Sequence, residues 1–130
     1  MSSPNIVNVT SIIGTTTYYV PAGTSALVLV NNAASSGTVF KVNQIVVANT
    51  TASAANATVA IYSNGAVAQG SAPSGGAAYP IVSAVSVPAN ASLIAVDKTT
   101  AVYLMEGNSI TMTSGTASAL VFTISYEVIT

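Results

Sequence analysis

The chain has no cysteine, no histidine, no tryptophan and no arginine, and its 130 residues include only two lysines and three acidic side chains. Without cysteine there can be no disulfide and no thiolate metal site. Without histidine the commonest general base and metal ligand is missing. Charged residues make up 4% of the chain, against roughly 25% in typical soluble proteins. They are Lys41, Asp97, Lys98, Glu106 and Glu127, with a net charge of −1. Two lysines cannot neutralise a run of phosphates, so no nucleic-acid partner is expected. Apolar residues are abundant, yet no run of about 18 uninterrupted apolar residues occurs, so no membrane-spanning helix is expected. The start, Met1-Ser2-Ser3-Pro4-Asn5, is uncharged and leads into no continuous apolar core. It does not read as a signal peptide, which implies synthesis and use without Sec export.

What is present is a surface made of Ser, Thr, Asn, Ala and Gly. Proteins normally stay apart through net and interspersed charge, and a net charge near zero favours association. By size, residues 1–130 form one domain that can bury roughly two-thirds of its unfolded surface.

Alternation points to strands throughout. Ile6–Ile13 places Val7, Val9, Ser11 and Ile13 on the face expected to be buried. Gly14 is expected to break this strand, with Thr15–Val20 resuming it as far as Pro21. Ser25–Val30 reads as buried on both faces. Thr38–Ala48 is long enough to bend or bulge, with Phe40, Val42 and Val46 facing one way and Lys41, Asn43 and Ile45 the other. Ala57–Tyr62, Tyr79–Val87 and Ser92–Val96 are further strands, and Asp97–Thr100 is a polar turn.

Between the strands, Ser63–Ala78 is a Gly, Ala, Ser and Pro segment, expected to be either mobile or ordered by a neighbour. VPAGTSALVLV from Val20 and VPANASLIAV from Val87 echo one another, which suggests one turn chemistry used at two comparable corners. The last stretch, Ala101–Thr130, reads as a three-stranded meander with turns at Glu106-Gly107-Asn108 and Ser114-Gly115-Thr116. Its final run puts Leu120, Phe122, Ile124, Tyr126 and Val128 on one face, and Val121, Thr123, Ser125, Glu127 and Ile129 on the other. About nine or ten strands with Gly and Pro corners, and no apolar stripe at helical period, predict an all-β antiparallel sandwich, a jelly roll or a related Greek key.

The residues offer little chemistry. Glu106 and Glu127 are the one glutamate pair a glycosidase reading could use, but few aromatics are available to line a sugar cleft, and Glu106 reads as a turn residue without a partner. Asp97-Lys98 reads as a solvated turn, and no segment concentrates the carboxylates a calcium loop needs. No catalytic residue, metal site or cofactor is therefore expected. Asn-x-Ser/Thr triplets at Asn8, Asn49, Asn56 and Asn90 are expected by chance in so Asn- and Thr-rich a chain. Tyr18, Tyr19, Tyr62, Tyr79, Tyr103 and Tyr126 combine an apolar ring with a polar tip, which suits core packing or a subunit interface. The candidate interface is Val121, Thr123, Ser125 and Ile129 with Tyr18 and Tyr19.

Tyr103-Leu104-Met105-Glu106-Gly107-Asn108-Ser109-Ile110 resembles a Y-L-x-E-G-D-S-I turn, with Asn108 standing in place of Asp. Together with the closing Ile124-Ser125-Tyr126-Glu127-Val128-Ile129, it makes the chain from about Lys41 onward similar to small virion structural proteins of tailed bacteriophages, including those of cyanobacteria. The resemblance implies a sandwich or jelly-roll module made in the host cytoplasm, and a non-enzymatic role as a capsid decoration (cement) protein. It further implies a homotrimer whose partners are its own copies and the major capsid protein. A tail-fibre or receptor-binding module that takes a host-surface glycan is the alternative.

Overall fold

β-Branched and small residues alternate between short polar turns, and the computed structural model, which describes residues 8–130, forms strands wherever they do. The strands are β1 (Ile12–Tyr19), β2 (Leu27–Asn32), β3 (Val39–Asn49), β4 (Ala55–Tyr62), β5 (Ala78–Val87), β6 (Ser92–Val96), β7 (Val102–Leu104), β8 (Asn108–Ser114) and β9 (Leu120–Ile129), with a 3-10 turn at Lys98–Thr100. One antiparallel sheet has the order β1-β9-β3-β6, with β7 also paired to β3, and the other has the order β2-β8-β4-β5. With β7 set aside, this interleaving of two four-stranded layers is the strand order of a jelly roll.

The core lies between the layers. Leu120, Phe122 and Ile124 of β9 and Val42, Ile45 and Val47 of β3 meet Leu29, Val59, Ile110 and Met112 from the other sheet, all fully buried. A single such side chain is worth about 2 kcal/mol of transfer free energy.

The closing stretch is not a meander. β7 and β9 belong to the first sheet and β8 to the second, so each short turn carries the chain between layers instead of folding it back on its neighbour. Nor does Gly14 break the first strand: β1 runs through it in unbroken register with β9, from Ile12 opposite Ile129 to Tyr19 opposite Phe122. Ile13, expected to be buried, is exposed because β1 is an edge strand. Ile6 and Val7 lie outside the described residues.

β3 does carry a bulge. Its register against β9 shifts between Val42 and Gln44, making Asn43 the extra residue. Phe40 and Val42 share a face as expected, the one toward the core, but beyond the bulge the parity flips. Ile45 is buried and Val46 turns outward.

The segment between β4 and β5 is fastened to its own domain. Gly70 N–H donates to the Val28 carbonyl and Val28 N–H to the Ser71 carbonyl, both at 2.9 Å, which extends the sheet beside β2. Gln69 Nε2 reaches the Leu29 carbonyl at 2.9 Å and Thr17 Oγ1 at 3.1 Å, bridging the two layers. Gly65 is buried so close to the Asn32 and Asn108 backbones that a Cβ would sit 2.3 Å from one carbonyl oxygen and 2.7 Å from the other. The two proline corners are comparable in one respect, since each carries the chain from one sheet to the other, after β1 and after β5. They differ locally: Asn90 takes a left-handed φ of 57° while Gly23 does not use its freedom.

Candidate functional site: an uncharged sheet face

Register defines the outer face of the first sheet. Tyr18 lies opposite Thr123, Thr123 opposite Val46, and Val46 opposite Ile94, a row that crosses β1, β9, β3 and β6 without a charge. Its ends are open, with Tyr18 69% and Ile94 58% exposed, while Val46 and Thr123 are half-buried between them. Val121 and Ala48 form the neighbouring row. On the other side Thr16 Oγ1 and Ser125 Oγ share a hydrogen bond of 3.0 Å, with Gln44 next in line. Charge enters at the β6 end of that row, where Asp97 and Lys98 lie close to Gln44 and Ser125, and again one row further, where Glu127 of β9 stands opposite Lys41 of β3 and Lys41 opposite Tyr103 of β7.

Of the six expected interface residues, Tyr18, Val121, Thr123 and Ser125 share this face. Two do not belong to it. Tyr19 has the opposite parity on β1 and packs against the core, close to Gly70 of the long loop. Ile129 is only 5% exposed, so it has little surface to offer a partner. β9 itself is no edge, lying between β1 and β3.

The bulge at Asn43 opens a depression of about 440 Å³ on this side, lined by Asn43, Gln44, Ser125, Asp97 and Lys98. Asp97 is engaged locally. Its Oδ1 accepts from Thr99 Oγ1 at 2.6 Å and from Thr99 N–H at 2.9 Å, and the Thr99 hydroxyl above all holds its carboxyl below the usual value. The site offers amides, a hydroxyl, one ammonium and one occupied carboxylate, a set that can hydrogen-bond a polyol. Across the sheet Tyr126, stacked at 4.9 Å on Phe40, has its phenol pushed up by burial.

Glu106 does have a partner: its carboxylate accepts from Gly37 N–H and ties the β7–β8 turn to the β2–β3 loop. Gly107, at φ 79°, donates to the Asn32 carbonyl at 2.8 Å in the same knot. No group of three or more His, Cys, Asp or Glu side chains comes together among the described residues.

Two asparagines that sequence reasoning passed over hold the loops around this frame. Buried Asn32 donates from Nδ2 to the Thr38 and Leu104 carbonyls and accepts at Oδ1 from the Ser36 and Thr38 hydroxyls. Asn49, 3% exposed, donates to the Ser53 and Val87 carbonyls and accepts from Thr51 N–H and Thr51 Oγ1. Each closes a strand and precedes a Ser/Thr-rich loop, which is the signal that could have found them, and Asn49 forms an Asx turn through Thr51 N–H. Asn49 heads one of the Asn-x-Ser/Thr triplets, and with its amide so engaged it cannot accept a glycan in the folded protein. No family model, curated protein or solved structure matches the chain.

Proposed function

We propose that the protein is a non-enzymatic structural component of a virion, a decoration protein that strengthens a capsid by packing against its own copies and the major capsid protein. The observation that carries this reading is the outer face of the first sheet, with the charge-free row Tyr18-Thr123-Val46-Ile94 beside Val121 and Ala48. A small-residue face of this kind costs little to desolvate, so contact with another protein surface gains apolar burial without stranding ions. The jelly-roll layering is in keeping with this reading, because capsid domains use it, although lectins use it too. Self-association of the chain, in whatever symmetry, is part of the proposal. Removing the gene and challenging the heads with heat or low salt tests it. Fragile heads, with the protein present on purified wild-type heads, are the expected result; unchanged stability and no protein on the heads would overturn it.

The depression at Asn43 favours a second reading, a tail or receptor-binding module that takes a host-surface glycan. Binding of the isolated protein to host cells, lost in Asn43→Ala, would support it over the first.

A further inference from the structure

The two sheets have four edges, and three of them are blunted. β2 is covered by Gly70-Ser71 of the long loop. β5 begins with Pro80 near its exposed end, slips register against β4 twice and takes a left-handed turn at Ala84, φ 50°. The β6 and β7 edge is broken into pieces of five and three residues. Proline, bulges, short strands and covering loops are the devices by which sheets avoid pairing with other chains. Among the described residues β1 has no proline, no bulge and no loop paired to its backbone; the long loop touches it at the Thr17 hydroxyl and the Tyr19 ring, side chains that point toward the core side. The strand is eight residues long, in unbroken register with β9, and carries neither charge nor proline. Among the described residues, no backbone group outside β9 pairs with Ile12–Tyr19.

We infer that β1 is a self-association edge, pairing antiparallel with β1 of a second copy about a two-fold axis at Thr15. The inference rests on the reading of the protein as a self-assembling structural subunit, and names the contact and its symmetry. The occupant follows from the strand's own pattern. An antiparallel register that keeps both outer faces on one side must join residues of equal parity. With Thr15 opposite Thr15, Ile12 lies opposite Tyr18 of the second copy and Gly14 opposite Thr16. The large exposed side chains at the two ends, Ile12 at 55% and Tyr18 at 69%, then cover one another twice, and the small residues meet in the middle. An isologous contact requires such self-complementarity. Row by row, Val46, Thr123 and Tyr18 of one copy then continue through Ile12 and Ile129 of the other.

The chain has no cysteine, so a single introduced thiol reports one contact only. Thr15→Cys should form a covalent dimer on mild oxidation, whereas Thr17→Cys, whose copies would lie four residues out of step, should not. Light scattering of the unmodified protein should give twice the chain mass. Ile12→Lys and Tyr18→Asp, both at exposed positions, should each weaken the dimer about tenfold, and mixing the two variants should restore it through a Lys–Asp pair. A trimer that neither substitution disturbs would overturn the β1 contact while leaving self-assembly standing. A monomer at all concentrations, with no Thr15→Cys cross-link, would overturn the contact, and the head-stability experiment would then judge the virion reading separately.

Discussion

Replacing Asn49 by alanine removes two donors from the interior. The Val87 carbonyl, 3.0 Å from Nδ2, is buried, and the Ser53 carbonyl, 2.8 Å away, is partly so. A buried acceptor left without its donor costs about 1–3 kcal/mol. The Thr51 groups that Oδ1 serves sit nearer solvent and can turn to water. The expected loss is therefore about 2–4 kcal/mol, a large share of the roughly 5–15 kcal/mol that holds a domain of this size together. Asn49→Asp is the sharper variant. It keeps shape and volume but aims carboxylate oxygens at two carbonyls and buries a charge with no cation near it, so it should cost more than alanine does. Urea unfolding followed by circular dichroism measures both, with an unchanged slope showing that the folded state is otherwise intact. Asn56→Ala, at an exposed position, is the control and should stay within about 0.5 kcal/mol. A cost below about 0.5 kcal/mol for Asn49→Ala, or an aspartate milder than the alanine, would show that these carbonyls do not depend on the Asn49 amide.

Gly65→Ala should destabilise by about 2 kcal/mol or more, because its Cβ would press on two backbone carbonyls; Gly14→Ala, with open space around it, should be neutral or slightly stabilising in the same urea series. Gln69→Ala should release the long loop from β2 and Thr17, seen as faster amide exchange at Gly70 with little change in the global unfolding midpoint. Asp97 titrates below its ordinary 3.8, so its contribution is present above that pH and lost as pH falls through the lower folded value; Thr99→Ala should move the carboxyl back toward 3.8 in an NMR titration. Tyr126 has the opposite sign. Burial raises its phenol above 10.0, so stability is intact below pH 10 and declines as pH rises through the folded value, visible as tyrosinate absorbance appearing together with unfolding.

Where the pattern of side chains alone decided the outcome, the sequence was legible. β6 falls on Ser92–Val96 as expected, and β3, long enough to bend or bulge, carries a bulge at Asn43. Alternation reports which face is buried, but not which strand is the neighbour. The short turn at Glu106-Gly107 therefore looked like a hairpin, although β7 and β8 lie in different sheets. In the same way, one extra residue at Asn43 reverses every side chain after it, so Ile45 and Val46 exchanged faces. The long loop could not be read as ordered because its anchors are backbone groups of β2 and a single glutamine, contacts with no periodic trace. For the candidate interface, parity within one strand placed Val121, Thr123 and Ser125 together. Whether an end residue such as Ile129 stays open depends on packing that parity does not encode.

A capsid decoration protein should bind, once purified, to heads that lack it. Saturable binding should persist at about 1 M salt, since the row Tyr18-Thr123-Val46-Ile94 has no charges to screen, and should be abolished by Thr123→Lys in the middle of that row. Absence of binding, or binding that salt removes and Thr123→Lys leaves unchanged, would contradict the decoration role.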